Sequence, residues 1–424
     1  MATDDDTTTG GGGGGEDYQV EEEFSVWRKN TPFLYDLVIS HSLEWPSLTV
    51  QWLPSPPTIY GDGSFAVHKM ILGTHTSDDN PNFLLVAEAH LPVNPAGALE
   101  TNLDHHNIPK VEVIQKIHVD GEVNRARCMP QIPSIVAAKT SSSEIYVFDS
   151  TKQPLDHEGG SCVPDVRLRG HDKEGYGLSW NPFKEGYLLS GSNDCKICLW
   201  DLSTMPENKV LDAMHIYEDH GSVVEDVSWH LMNDSLFGSV GDDCKLMIWD
   251  LRTNKHEQAV VVHEKEMSGV ASDAFSVHLQ ASIDVNYLSF NPYNEWVLAT
   301  ASSDTTVGLF DMRKLTAPLH VLSSHTEEVF QVEWDPNHET VLASSADDRR
   351  LMVWDLNRVG DEQLEGEAED GPPELLFSHG GHKAKISDFS WNKNEPWVIS
   401  SVAEDNALQV WQMAESIYRE DDDI

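Results

Sequence analysis

The sequence predicts an all-β fold, a seven-bladed β-propeller with an α-helix at the N-terminus and a short helix at the C-terminus. Six copies of one unit are legible, each running from a His to an aromatic residue that Asp follows in five of the six. Short β-prone strands such as Ile197–Trp200 and Leu246–Trp249 end the units, between clusters of turn residues. Two further apolar segments, Phe65–Leu72 and Phe83–Leu91, predict a degenerate first blade. A regular repeat built of short strands is typical of a propeller.

The copies keep an almost constant length. From the His to the residue after the aromatic, five units span 30 or 31 residues and the fourth spans 48. Removing Met267–Asp284 as an insertion returns the fourth unit to 30. The insertion alternates apolar and polar residues from Phe275 to Ile283, as strands do. An added hairpin strand, a disordered loop, a splice variant and a mispredicted gene boundary all remain open. The units are His118–Asp149, His171–Asp201, His220–Asp250, His263–Asp311, His325–Asp355 and His382–Gln412.

Two polar positions recur inside the units. A turn residue lies six places before the aromatic residue, as Asp194, Asp243, Asp304, Asp348, Asp405 and, in the weakest copy, Ser142. A hydroxyl lies ten places before it, as Ser190, Ser239, Thr300, Ser344 and Ser401, with Ala138 in the weakest copy. The pattern resembles the WD-repeat blade, in which Asp, His, Ser or Thr and Trp form a hydrogen-bonded tetrad. A hydrolytic triad needs one geometry in one place, so a set that recurs five times is interpreted as structural.

The N-terminal segments lie outside the ring. Residues 1–19, which contain an unbroken run of glycines, predict a disordered acidic and Gly-rich tail. Residues 20–30 predict a helix because Val20, Phe24 and Trp27 share one face at helical spacing.

The propeller itself is predicted over 31–412, with an acidic loop at 361–373. Ser47–Leu53 is expected to close the ring as the outer strand of the last blade, which hides the sheet edges. Residues 413–424 predict a short C-terminal helix and an acidic end.

The composition is strongly acidic. With 28 Lys and Arg against 71 Asp and Glu, the formal net charge is -43 at pH 7. Such a charge repels phosphate backbones and anionic lipids and favours encounters with cationic partners. Direct DNA binding and membrane binding are therefore not expected, and no run of about 18 apolar residues occurs. Histones are the obvious basic partners, although acidic proteins are often merely soluble.

The cysteines do not indicate a disulfide framework. Their number, five, is odd and they are spread over the chain, which fits a reducing compartment. Cys195 and Cys198 have the spacing of half a zinc site, and His105 and His106 are conceivable partners. Residues three apart on a strand point to opposite faces, so neither a metal site nor a cofactor is expected.

Five segments are more specific than the repeat itself: Asn30–Val38, Leu43–Thr49, Leu72–Thr76, Gly121–Arg127 and Glu369–Phe377. Together they are similar to one family, the retinoblastoma-associated histone-binding WD-repeat proteins, including the plant multicopy-suppressor-of-ira type. The resemblance covers residues 20–420 apart from the insertion. It implies a nuclear, non-enzymatic histone-binding scaffold, monomeric as an isolated chain. Such subunits are shared by chromatin assembly factor, histone deacetylase and remodelling complexes, and Polycomb-type methyltransferases.

The resemblance implies two binding surfaces. The first is a groove beside the N-terminal helix, closed by the acidic loop, that takes the first helix of histone four. Its apolar positions suit an amphipathic helix and its acids suit a ligand arginine. Taken without the family, the acidic run is interpreted as a solvated loop. The matching residues are Phe33, Leu34, Glu367, Asp370, Phe377 and Ile417.

The second implied surface is the top rim of the ring, which takes the N-terminal tail of histone three and basic peptides of complex partners. A carboxylate rim surrounds one Arg or Lys while Tyr176 and Phe330 pack against its stem or cation. The insertion falls just before Asn286, which puts that contact in doubt. The matching residues are Glu44, His75, Glu122, Asn124, Glu174, Tyr176, Glu225, Asn286, Glu328, Phe330 and Glu404.

An alternative function is the substrate receptor of a cullin ubiquitin ligase. The segment Trp249–Arg252, with Phe310–Arg313 as a weaker copy, resembles the motif by which propellers dock a ligase adaptor. Its docking residues are Trp249, Asp250 and Arg252. The motif is common in ordinary blades. An enzyme is disfavoured because the sequence offers no nucleophile-base pair, metal set or phosphate loop.

Overall fold

Seven antiparallel sheets form a closed ring in the computed structural model. The structure describes residues 13–60, 63–76, 80–93, 109–154, 160–204, 207–253, 255–263, 283–363, 366, 368 and 370–419. Each sheet is one blade, and its innermost strand contacts the innermost strands of both neighbouring blades, so the contacts run once around a central channel. The seven-bladed propeller predicted from the repeat is confirmed.

The first three blades use strands β2–β15. Blade 1 contains β2 (Val50–Trp52), β3 (Thr58–Tyr60), β4 (Phe65–Gly73), β5 (Asn82–Pro92) and β6 (Lys110–Val119). Blade 2 contains β7 (Val123–Cys128), β8 (Ile135–Thr140), β9 (Ile145–Asp149) and β10 (Val166–Arg169), to which β14 (Val210–Asp212) adds in parallel. Blade 3 contains β11 (Leu178–Trp180), β12 (Tyr187–Gly191), β13 (Ile197–Asp201) and β15 (His215–Tyr217).

The other four blades complete the ring. Blade 4 contains β16 (Val224–Trp229), β17 (Leu236–Gly241), β18 (Lys245–Asp250) and β19 (Lys255–Val261). Blade 5 contains β20 (Val285–Phe290), β21 (Val297–Ser302), β22 (Thr306–Asp311) and β23 (His320–Ser323). Blade 6 contains β24 (Val329–Trp334), β25 (Val341–Ala346), β26 (Leu351–Asp355) and β27 (Leu375–His379). Blade 7 contains β28 (Ile386–Trp391), β29 (Val398–Ala403), β30 (Ala407–Met413) and β1 (Tyr35–Ser42).

Ring closure uses a different segment from the predicted one. The outer strand of blade 7 is β1, paired antiparallel with β30, whereas Ser47–Leu53 contains β2, the inner strand of blade 1. The prediction of Ser47–Leu53 as the closing strand was wrong. In β1 the side chains of Tyr35, Leu37 and Ile39 are buried on one face, which gives it the period of a half-buried strand.

The tetrads join the strands within five blades. In blade 4, His220 Nδ1 lies 3.1 Å from Asp243, its Nε2 lies 2.6 Å from Ser239 Oγ, and Trp249 Nε1 donates to the same hydroxyl at 2.8 Å. The corresponding hydroxyls in the other four blades are buried with almost no exposed surface. They hold strands together, so they are not exposed nucleophiles. The His and hydroxyl pairs there are His171 and Ser190, His263 and Thr300, His325 and Ser344, and His382 and Ser401.

One tetrad departs from the pattern in blade 3. There the indole of Trp200 donates to the carbonyl of Arg169 at 3.2 Å. The hydroxyl of Ser190 instead receives a hydrogen bond from the ammonium of Lys139, a buried residue of blade 2. Burial lowers the pKa of Lys139 to about 7.

Helix α1 (Gly13–Leu34) is longer at both ends than the predicted 20–30, and its first turns fall within the segment 1–19 predicted to be disordered. It is held on blades 6 and 7. The indole of Trp27 donates to Tyr35 Oη at 2.9 Å, and Glu23 Oε2 lies 3.1 Å from Arg349 and 3.2 Å from Arg350. Helix α2 (Glu415–Tyr418) is short, as predicted. Neither described helix is long and apolar enough to span a bilayer.

Candidate functional site

A cavity of about 740 Å³ opens at one end of the central channel, here called the upper mouth. Seven of the eleven predicted rim residues line it together: His75, Tyr176, Glu225, Asn286, Glu328, Phe330 and Glu404. Eight further residues complete the lining: Pro46, Leu48, Arg125, Asp242, Asp284, Ser303, Lys385 and Ser387.

The inner strands aim side chains into this mouth through β-bulges. The pairing with the second strand of the blade shifts register across Asn124, Glu225, Asn286, Phe330 and Ser387. Each of these residues lies four places before the last residue of its inner strand. A bulge bends the strand and re-aims one side chain. The repeat therefore presents one variable residue per blade at the same height on an invariant scaffold.

The lining residues that the sequence did not predict follow the same arithmetic. Asp242 and Ser303 directly precede the tetrad residues Asp243 and Asp304, as Glu404 precedes Asp405. Asp284 and Lys385 lie six places before the ends of their inner strands, as Glu328 does. The positional signal was available in the repeat, and applying one offset to every blade would have found them.

The upper mouth is acidic but not uniformly so. Its lining holds five carboxylates, Glu225, Asp242, Asp284, Glu328 and Glu404, against the two cations Arg125 and Lys385. Burial, together with the carboxylates of Asp242 and Asp284, raises the pKa of Glu225 to about 7. Burial also raises the pKa of Tyr176, with Glu174 and Glu225 adding to the effect. An unneutralised carboxylate cluster of this kind gains stability when a cation enters it.

The two lining cations limit where a ligand can sit. The ammonium of Lys385 lies 3.3 Å from the centre of the Phe330 ring, so that face already holds a cation. Arg125 lies deeper, with its guanidinium 5.3 Å from the ring of Tyr287 and 3.8 Å from Asp388. Arg125 repels a cation that descends the channel. A basic side chain is therefore held near the carboxylates of the rim.

The other four predicted rim residues lie around the mouth. His75 Nε2 is 3.1 Å from Glu122, which links one of them to the lining. Asn124 is buried and donates to Glu174 at 3.1 Å. Glu44 is largely exposed and lies 3.3 Å from Lys116 on the outer strand of blade 1. Glu44 is therefore directed toward the outside of the ring.

The insertion leaves Asn286 in the repeat position. Its side-chain amide donates to the carbonyl of Val329 in the next blade at 2.8 Å, and the residue lines the mouth. Asp284, counted in the predicted insertion 267–284, accepts through its carbonyl from the backbone amide of Ser303, as Glu328 does from Asp347. The repeat thus resumes at Asp284 and not at Val285. Residues 264–282 lie outside the described part of the chain.

The predicted groove is only partly an open surface. Phe33 is 79% exposed and Leu34 37% exposed at the end of α1, and Ile417 is half-buried on α2. Phe377 is buried and packs edge-on against Tyr35, with ring centres 5.2 Å apart. It therefore forms core beneath the surface and cannot offer a full apolar face to a ligand.

The acidic loop forms a second cavity, of about 500 Å³, on blade 6. Asp370 lines it together with Asp361 and Glu362, and all three are exposed. Gln363 closes the loop by donating to the carbonyl of Gly371 at 2.9 Å. The predicted residue Glu367 lies outside the described residues. Strand β27 follows this loop and contacts α2, which places the loop beside Ile417.

The ligase-adaptor motif is mostly buried. Trp249 is 1% exposed and forms part of the tetrad of blade 4, so its side chain is not available to a partner. Arg252 is exposed, but its guanidinium pairs with Asp250 in its own chain. Arg313 pairs with Asp311 in the same way at 2.7 Å. The motif is accounted for by structural contacts within blades 4 and 5.

The cysteine pair considered for zinc diverges in the structure. Cys198 is buried in β13, whereas Cys195 precedes the strand at a positive φ of 67° and is partly exposed. Over the ranges that the structure describes, no three His, Cys, Asp or Glu side chains are grouped to hold a metal ion.

Comparison with known proteins identifies relatives of the whole chain. A family model described as histone-binding protein RBBP4, or a CAF1 complex component, matches residues 22–93, which include α1 and most of blade 1. The WD domain, G-beta repeat model matches residues 162–201, and a model of the N-terminal domain of nucleolar protein 10-like proteins matches residues 208–407. The WD-40 repeat-containing protein MSI3 of Arabidopsis thaliana is 66% identical over 409 residues, which are 96% of this chain and 92% of that protein.

Proposed function

Because the chain belongs to the retinoblastoma-associated histone-binding WD-repeat family, we propose that it is a histone-binding scaffold with two separate peptide sites. The observation that carries the proposal is the upper mouth, where five carboxylates face a cavity large enough for an extended peptide segment. The net charge of -43 adds long-range attraction for basic partners. The two sites lie at the upper mouth and beside α1, so one chain can hold two histone segments at once.

At the upper mouth, the proposed ligand is the N-terminal tail of histone three. An arginine or lysine of the tail lies among Glu225, Glu328 and Glu404, and its stem packs on Tyr176, which is 37% exposed. The tail also displaces or shares the cation position that Lys385 occupies over Phe330.

A peptide titration tests the upper site. Glu404→Gln is expected to weaken binding of a histone-three tail peptide about threefold, because Glu404 is an exposed charge and such pairs contribute less than about 1 kcal/mol. Fluorescence polarisation measures the dissociation constant. Glu339→Gln, an exposed acid on blade 6 in a loop at the other end of the channel, is the matched control. Equal affinity in all three proteins would argue against this site.

Beside α1, the proposed ligand is the first helix of histone four. Phe33, Leu34 and Ile417 supply an apolar surface, and the loop acids Asp361, Glu362 and Asp370 supply charge for an arginine. Phe33 is the central residue of this surface because it is the most exposed large apolar side chain of the described chain. Exposed apolar side chains of this size mark interaction sites when they cluster.

Replacing that phenylalanine tests the groove. Phe33→Ser is expected to weaken a histone-four helix peptide about tenfold, since part of a phenylalanine's burial free energy of about 1.5 to 3 kcal/mol is lost. Phe183→Ser is the matched control, because Phe183 is 53% exposed and lies on blade 3. Isothermal titration calorimetry gives both affinities. Similar losses in the two variants would show that the effect is not specific to the groove.

The family membership also supports a place in nuclear chromatin complexes. We propose chromatin assembly, histone deacetylase or remodelling, and Polycomb-type complexes as the assemblies that this scaffold joins. The cullin alternative has less support, because Trp249 is buried in a tetrad and Arg252 pairs with its own neighbour. Arg252→Ala followed by affinity purification separates the two: recovery of chromatin subunits is expected to be unchanged.

A further inference from the structure

The other end of the central channel, the lower mouth, contains a cavity of about 290 Å³. It is lined by the aromatic rings of Trp180, Phe290 and Trp334, by Leu231, and at its inner end by Asp226 and Glu333. The loops that join the inner strand of each blade to the second strand surround it. None of the residues proposed for the upper mouth or the groove lines this cavity.

The inner end of the lower mouth holds a carboxylate without a partner. Glu333 Oε2 is buried and accepts no hydrogen bond from any residue in the described ranges. Burial raises the pKa of Glu333 to about 8, with Asp388 and Asp335 adding to the effect. Arg127 also lines the cavity, but its guanidinium is held by both carboxylate oxygens of Asp388, at 3.1 and 3.3 Å. Glu333 therefore lacks the cation that a buried carboxylate requires.

Exposed apolar side chains extend from this cavity over four adjacent blades. Six such residues lie on the surrounding loops, each between 39% and 53% exposed: Ile132, Phe183, Leu231, Met232, Tyr293 and Trp296. Leu231 belongs both to this arc and to the cavity lining. Tyr293 is fixed by a hydrogen bond from its hydroxyl to the carbonyl of Pro336 in the next blade, at 2.8 Å. An apolar arc continuous with a cavity is typical of an interaction surface.

The charge of these loops defines the partner. The six loops at 129–134, 181–186, 230–235, 291–296, 335–340 and 392–397 carry six carboxylates and two lysines. A basic segment is therefore favoured over an acidic one. The cavity is smaller than the usual range of small-molecule pockets, about 300 to 1,000 Å³, so it fits one long side chain and not a whole ligand.

We propose that the lower mouth is a third protein-binding surface, which takes a partner segment with one Arg or Lys inserted toward Glu333 and apolar residues packed on the arc from Ile132 to Trp296. The aliphatic stem of the inserted side chain lies between Leu231, Phe290 and Trp334, and its charged end reaches the free oxygen of Glu333. The surface faces away from the upper mouth, so it is independent of histone-tail binding there.

Peptide display on the full-length protein tests this surface. The probe is a library of peptides of about 12 residues with an arginine fixed at the centre and random flanks. Excess histone-three and histone-four peptides are present to occupy the other two sites. The affinity of the selected peptides is then measured by fluorescence polarisation. We expect apolar residues next to the arginine and about tenfold weaker binding when that arginine is replaced by glutamine.

Four variants locate the binding. Glu333→Gln and Met232→Ser are each expected to weaken the selected peptides at least about fivefold, while Glu404→Gln and Phe33→Ser leave them unchanged. Met232 is 43% exposed, so its substitution reports on binding even if Glu333→Gln lowers the thermal midpoint. The proposal is overturned if no peptide is selected, or if the selected peptides bind both lower-mouth variants as tightly as the unaltered chain.

Discussion

Replacing Asp388 by alanine is expected to lower the free energy of unfolding by about 3 to 5 kcal/mol. Asp388 is fully buried and accepts from the guanidinium of Arg127 and from the backbone amide of Val50, at 2.8 Å. It also lies 3.8 Å from Arg125. The alanine variant leaves two buried guanidinium groups without a carboxylate and the inner strand of blade 1 without a hydrogen bond at its edge.

Urea unfolding followed by near-ultraviolet circular dichroism measures this loss. Asp212→Ala is the matched control, because Asp212 pairs with Arg169 at 3.0 Å but is 77% exposed, and surface pairs contribute about 0 to 1 kcal/mol. Asp388→Asn, which keeps an acceptor for Val50, is expected to fall between the two. If the two alanine variants unfold at the same urea concentration, the buried pair does not hold the blades together.

The channel contacts show where sequence reasoning stops. The blades were predictable because each keeps its own landmarks, and His220, Ser239, Asp243 and Trp249 all lie within one unit. Asp388 and Arg127 are 261 positions apart in the chain and meet only because the ring closes. No pattern within one repeat predicts such a pair.

The closing strand was mispredicted for a related reason. Outer strands lie far from the tetrad and carry none of its residues, so β1 has alternation but no landmark. Ser47–Leu53 was chosen as an early apolar segment, yet its Thr49 faces the channel region and accepts from the backbone amide of Ala126 at 3.0 Å. That contact is typical of the inner strands, where Gln331 meets Phe389 in the same way.

The candidate site was predictable to the extent that it follows the repeat. The bulged positions, such as Glu225 and Phe330, matched the family, and the structure brings them to one mouth. Lys385 over the ring of Phe330 was not predicted, because the sequence does not reveal which side chain of blade 7 reaches blade 6. The depth of Arg125 likewise depends on the channel geometry.

The upper mouth should bind a basic peptide more tightly at high pH than at low pH. Burial raises the pKa of Glu225 to about 7, and Asp242, Asp284 and Asp226 face it as further acids. Below that pH the carboxyl is mostly neutral and attracts a cation less, so affinity is lower at about pH 6 and higher at about pH 8, by about tenfold. Glu225→Gln is neutral throughout and should remove most of this dependence, whereas His75→Asn should retain it.

Charge reversal at the same position should have a larger effect. Glu225→Arg places a cation beside Asp242 and Asp284, where it occupies the position proposed for the ligand, and like charges in a half-buried site oppose each other by several kcal/mol. We expect about hundredfold weaker binding of a histone-three tail peptide, measured by fluorescence polarisation at about pH 8. Glu339→Arg, the same reversal on an exposed loop residue of blade 6, controls for the change in net charge. Unchanged affinity with Glu225→Arg would place the tail elsewhere, because no basic side chain could share the mouth with that arginine.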